Sequence, residues 1–216
     1  MTTYTLNIDP GDAGAAAIKN LKQFVTVAKA SDGGTSAGTD VPNVNWLAFS
    51  PWDKNAVVWE EKYALFATQT VIEHGKQIIQ GSSQDDPTLG REYAFDDGTW
   101  TDNGSGTQGR FQIRNENGKT TNFGLALEVS VQGGPMQYSP LAINEVGNNE
   151  HVSYEPLEIV YVYLNSNGNN GVIWDVSSDA LEVTLTPANP SAEIGFDIDN
   201  NTFFLQKSAK PLEGAH

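Results

Sequence analysis

Apolar residues recur at every second position through much of this chain. Phe123, Leu125, Leu127, Val129 and Val131 alternate with Gly124, Ala126, Glu128, Ser130 and Gln132. Tyr4, Leu6 and Ile8 follow the same rule, as do Leu181, Val183 and Leu185, and Ile194, Phe196 and Ile198. Side chains alternate faces along a strand, so this period marks half-buried antiparallel strands. The pattern predicts strands over residues 3–8, 23–28, 43–49, 57–68, 109–114, 122–131, 158–164, 181–185, 193–198 and 202–206. Asp32-Gly33, Asp97-Gly98, Asn103-Gly104, Asn117-Gly118, Asn167-Gly168 and Asn170-Gly171 supply the positive φ angles of tight turns. Helix signals are few. One short helix is predicted from Gly11 to Lys19, with Asp12 as its cap and Gly14 weakening it. Residues 70–80 fit either a helix or a strand, and 29–42, 81–90 and 101–108 read as polar loops. No repeat or linker divides the chain. The expectation is one all-β domain over residues 1–216, an antiparallel β-sandwich.

One strand carries a mixed stripe. Between Val57 and Phe66, alternation puts Trp59, Glu61, Tyr63 and Leu65 on a single face. A carboxylate among groups that seek burial needs a partner. Glu61 then reads as the polar anchor of a small-ligand pocket walled by Trp59 and Tyr63. The alternative is an edge strand whose Glu61 reaches solvent or pairs with an arginine.

Charge narrows the partners. The 216 residues include 27 acidic and 12 basic ones, a formal charge of −15. That balance excludes a nucleic-acid backbone and electrostatic attachment to anionic lipid as expected partners. The absence of cysteine points to a reducing compartment. The first residues, Met1 to Asp9, have neither the basic nor the apolar region of a signal peptide. No apolar run approaches the roughly 20 residues of a membrane span. A cytoplasmic location is expected, and nothing in the sequence sets an oligomeric state.

Catalytic patterns are missing. Glu60 and Glu61 are neighbours on a strand, so they face opposite ways and cannot flank one glycosidic bond. No Gly-x-Ser-x-Gly elbow occurs, and neither Gly-x-Gly-x-x-Gly nor Gly-x-x-x-x-Gly-Lys occurs in a strand-to-helix setting. His74 and His151 each follow a glutamate, which is the composition of a metal site but equally of solvated surface, and the second reading weighs more. Asp197-Ile198-Asp199-Asn200-Asn201 copies the opening of a calcium loop, yet Thr202 and Ser208 stand where that loop needs Gly and Glu. A looser divalent-cation site on Asp197, Asp199 and Asn201 is the remaining expectation. It predicts that calcium raises the melting temperature more than sodium at equal ionic strength. Binding without catalysis is therefore the expected function.

Loop aromatics widen the choice of ligand. Trp52 and Trp100 sit beside Asp53 and Asp97-Gly98 in turn-like contexts. An exposed Trp next to polar groups stacks on a flat ligand or a sugar face, whereas one folded back covers core. A small planar or cyclic molecule at Trp59, Glu61 and Tyr63 is one class of ligand. A glycan at Trp52 and Trp100, as in a lectin or lectin-like toxin, is the other.

Several phrases carry a resemblance: Tyr4-Thr5-Leu6, Asn45-Trp46-Leu47-Ala48-Phe49, Val58-Trp59-Glu60-Glu61-Lys62-Tyr63, Ser139-Pro140-Leu141 and Tyr154-Glu155-Pro156-Leu157-Glu158. Together they make the chain similar to the leaderless, cysteine-free β-sandwich proteins of mushroom fruiting bodies, the pink chromoproteins of oyster mushrooms among them. The resemblance implies a sandwich similar to actinoporin-like toxins. It also implies a non-covalently held, laccarin-type pigment. It assigns no residue to that pigment.

Overall fold

The computed structural model describes residues 2–35 and 44–206. Asn43 of one expected strand, residues 36–42 of one expected loop, and His216 lie outside them. In chain order the elements are β1 (Thr3–Asp9), α1 (Gly11–Asn20), β2 (Phe24–Thr35), β3 (Val44–Asn45), β4 (Leu47–Phe49), β5 (Asn55–Thr68), β6 (Ser82–Asp85), β7 (Arg91–Asp96) and β8 (Thr99–Ser105). They continue with β9 (Phe111–Asn115), β10 (Thr121–Val131), β11 (Gln137–Val146), β12 (His151–Asn165), β13 (Val172–Ile173), β14 (Leu181–Thr184), β15 (Ser191–Asp197) and β16 (Thr202–Leu205).

The protein is an all-β sandwich. One sheet runs β11-β10-β5-β1-β15-β16, with β6 also on β5; the other runs β4-β2-β12-β9-β7-β8, with β14 also on β12. Pairing is antiparallel except for β1 with β15 and β7 with β9. The alternating residues of the two inner faces meet in one core that includes Leu6, Val57, Leu65 and Leu125 from the first sheet and Val27, Ile113, Val152 and Val162 from the second. The outer face of β5, β10 and β11 is covered as well, where Phe66, Ala126 and Ile143 pack against Val44, Ile78 and Ile173. This second layer explains the unbroken burial from Tyr63 to Thr68. Among the described residues no helix is long and apolar enough to cross a membrane.

Two predicted details change. Asp12 does not cap α1; the cap position is Pro10, and the Asp9 carboxylate accepts the Gly11 N–H at 3.1 Å. Residues 70–80 form no regular element, and Gln77 makes only an isolated bridge to Val172. The polar stretches 81–90 and 101–108 contain the exposed strand β6 and most of β8, and β2 runs on through residues 29–35 paired with β12, so hydrophilic composition hid strands held by backbone pairing.

β5 and β12 dominate the architecture, and each changes partner midway. β5 lies against β10 along one side, but along the other it pairs with β1 as far as Glu60 and with β6 from Ala64. β12 lies against β2, and on its other side pairs with β9 as far as Tyr154 and with β14 from Ile159. Both strands also bulge at the switch. Leu127 and Val129 face Tyr63 and Trp59, so the chain between Trp59 and Tyr63 is longer than its partner. Ser31 and Lys29 likewise face Pro156 and Val160. Pro156 has no N–H to give a ladder, which suits it to a bulge.

Close packing makes one glycine indispensable. A Cβ at Gly124 would lie 2.2 Å from both the Ala142 carbonyl oxygen and the Phe66 ring. The backbone of β11 cannot yield without breaking its pairing. Gly124→Ala is therefore expected to lower stability by about 3 kcal/mol, the upper part of the range for overpacking. Urea unfolding of the variant checks it; a midpoint equal to that of the parent would refute the close approach.

Candidate functional site

The two bulges and the two partner switches surround one recess of about 60 Å³. Tyr4 comes from the start of β1, Trp59, Glu61 and Tyr63 from β5, Lys29 from β2, and Glu158 from the β12 bulge. The volume holds a group of a few heavy atoms, roughly several times the space one water needs.

Its walls are aromatic and rigid. Trp59 is 2% exposed and stacks on Tyr4 with ring centroids 5.6 Å apart and planes 17° from parallel. Trp46 meets Trp59 edge-on at 5.4 Å. Tyr63 leans on Phe111 at 5.1 Å. Such pairs add attraction beyond their buried area and leave the rings little freedom.

The floor is polar. Val25, Val27 and Lys29 share the inward face of β2, so alternation itself drives the Lys29 side chain inside. Lys29 is 8% exposed. Its Nζ donates a hydrogen bond to the Leu157 carbonyl, which lies within the β12 bulge. Burial pulls its pKa down to about 8, and the nearby Glu158 and Glu61 carboxylates oppose that shift without cancelling it. Burial pushes the Tyr63 phenol strongly up, with the Glu61 charge acting in the same direction. The Tyr4 phenol is also raised, by burial first and then by Glu61 and Glu158. The Tyr4 hydroxyl is buried and makes no hydrogen bond of sound geometry, although those two carboxylates are close enough to act on it.

The predicted residues are distributed as follows. Trp59, Glu61 and Tyr63 come together, but Glu61 is not buried among aromatics: it is exposed at the rim, where the bulge lifts it out. β5 is an interior strand rather than an edge. No arginine answers Glu61, because Arg91 pairs with Asp102, Arg110 with Asp32 and Glu155, and Arg114 with Glu116. Trp52 is 56% exposed and stands between β4 and β5, outside the recess lining; its backbone is held by the buried Asn55 side chain. Trp100 is folded back instead of exposed. It packs on Phe95 at 4.9 Å, and its indole N–H donates to the Ser82 hydroxyl at 3.0 Å.

Trp100 thereby supports a second concavity. An open cleft of about 1040 Å³ is lined by Thr68, Ser82, Phe95, Asn117, Thr121 and Asn122, among others. Its lining mixes hydroxyl and amide groups with apolar ones such as Ile79 and Phe95 and with the charged Asp97, Lys119 and Glu145.

Asp197, Asp199 and Asn201 lie at the β15–β16 turn. Asp197 spends its carboxylate on that turn, accepting the N–H groups of Asp199 and Asn200 and the Asn200 side-chain amide. Among the described residues no group of three or more His, Asp or Glu side chains is placed to hold a metal ion, and this applies to His74 and His151 too. His74 leans on Trp174, with ring centroids 4.3 Å apart and planes 43° from parallel. With Asp197 so engaged, calcium and sodium chloride at equal ionic strength are expected to raise the melting temperature alike, by screening the acidic excess. A calcium-specific rise would place a cation at Asp197, Asp199 and Asn201.

Sequence reasoning passed over Lys29 and Glu158. The signal for Lys29 was present, since it continues the apolar stripe of Val25 and Val27. For Glu158 it was Pro156, a proline within a strand. No family model, no curated protein and no solved structure matches the chain.

Proposed function

We propose that this protein binds a small organic molecule without transforming it, and that the recess between β5 and β12 grips one end of that ligand. The observation that carries the reading is the buried Lys29 amine and the Tyr4 hydroxyl, which has Glu158 and Glu61 near it but no well-formed hydrogen bond, lining one small space between aromatic walls. Burying polar groups without full partners destabilises a fold, so their presence together suits a ligand that completes them. Only a terminal group of the ligand enters; its body lies over the rim at Glu61. The resemblance to mushroom chromoproteins supports a laccarin-type pigment as that ligand. A visible absorption band in the protein purified from its source is the expected result. Glu61→Gln should then retain the band at least tenfold less well on dialysis. Equal retention by both forms would remove Glu61 from the site.

A second reading follows from the cleft. Its volume, and hydroxyl and amide groups set beside the apolar Ile79 and Phe95, suit a glycan, as in a lectin. Glycan-array signals that survive Glu61→Gln but vanish in a cooperatively folded Trp100→Ala variant would place binding there.

A further inference from the structure

We propose that Lys29 is a covalent attachment point, its Nζ condensing with the aldehyde or ketone group of a small carbonyl compound to form an imine in the recess. This deepens the ligand-binding reading above and rests on it, naming the ligand's chemical class, and it replaces the non-covalent holding that the resemblance implies with a covalent one.

The geometry supplies what the condensation needs. Lys29 Nζ lies in a recess of about 60 Å³, large enough for a carbonyl and its immediate substituents. Its hydrogen bond to Leu157 uses an N–H and leaves the lone pair of the neutral amine free. The amine is mostly neutral only slightly above pH 8, because burial has lowered its pKa. Desolvated lysines of this kind are the ones that form Schiff bases.

The step balances without any oxidant or further reactant. The Nζ lone pair attacks the carbonyl carbon, a C–N bond forms, and the carbonyl π pair moves to oxygen. That oxygen takes up the proton the nitrogen loses, giving a carbinolamine. The hydroxyl then leaves as water on protonation, the nitrogen lone pair closes the C=N bond, and the second N–H proton is released or retained as the iminium. Tyr4 and Tyr63 stay protonated and serve as donors to the oxygen, while Glu158 and Glu61 balance an iminium charge. Carbonyl compounds bearing a carboxylate beside the reacting carbon are disfavoured by the same two glutamates.

Propanal with cyanoborohydride is the probe, since it is small, uncharged and independent of the natural ligand. The folded protein is treated at pH 8 and digested, and each lysine is mapped by mass spectrometry. At that pH, a lysine with a pKa near 8 holds roughly a hundredfold more free amine than an ordinary one. Propylation of Lys29 is expected at least tenfold ahead of Lys19, Lys54 and Lys76, and to disappear from that peptide in Lys29→Arg. Modification of Lys29 at or below the rate of those surface lysines would overturn the proposal. Because mapping uses the unaltered protein, a poorly folding variant does not decide the result. If Lys29 is neither propylated nor found carrying a reduced natural adduct while the Glu61-dependent absorption band is retained, imine formation fails and ligand binding stands. If the band is absent but Lys29 is trapped, the amine is reactive but the ligand-binding reading fails, and the attachment proposal fails with it.

Discussion

Trp59→Ala is expected to lower stability by about 4 kcal/mol, the middle of the range for deleting a buried tryptophan. For a chain of this length that corresponds to a fall of roughly 8–16 °C in melting temperature. Trp59 touches Tyr4 by its face and Trp46 by its edge, so its loss removes two ring contacts and opens the recess into the core. The opened space should admit larger apolar molecules. Calorimetry measures the first effect, and binding of benzene or indole to the variant alone measures the second. A change below about 1 kcal/mol would mean that Trp59 is far less buried than its 2% exposure states.

Stability should rise with pH across the range in which most acidic proteins weaken. Lys29 has a pKa of about 8 when folded and about 10.5 when unfolded. Between those values the unfolded chain binds more protons, so the slope of unfolding free energy against pH is positive. The penalty for burying the charge is complete below pH 8 and is relieved as pH rises. The gain between pH 7 and 10 amounts to about 2 kcal/mol. Tyr4 and Tyr63 act oppositely, because their folded pKa values are raised. Their contribution is complete below pH 10 and is lost above it, so the rise ends there. Lys29→Met should lack the rise between pH 8 and 10. Parallel stability profiles for parent and variant would show that Lys29 is not desolvated.

Alternation made the sandwich legible. The stripes of β1, β10, β14 and β15 each state which face is core, and those strands form with that face inward, except that β15 ends at Asp197 and leaves Ile198 exposed in the turn. It could not reveal β6 or β8, whose residues are largely exposed and are held by backbone pairing with β5 and β7. Nor could it place Asp12, since the helix begins two residues earlier than a capping aspartate would require. The site was half legible. Trp59, Glu61 and Tyr63 share a strand face by parity, and the structure brings them to one recess. The depth of Glu61 was misjudged because burial there depends on a bulge, and a bulge is defined by the partner strand. Lys29 and Glu158 arrive from the facing sheet, and only the fold sets that meeting.

Mass spectrometry under non-denaturing conditions tests the central claim most directly. The protein purified from its source, and Glu61→Gln made in the same host, are sprayed side by side. A single small-molecule adduct is predicted on the parent chain, reduced at least tenfold in the variant. No adduct on the parent chain, or equal occupancy of both forms, would contradict a ligand site in the recess.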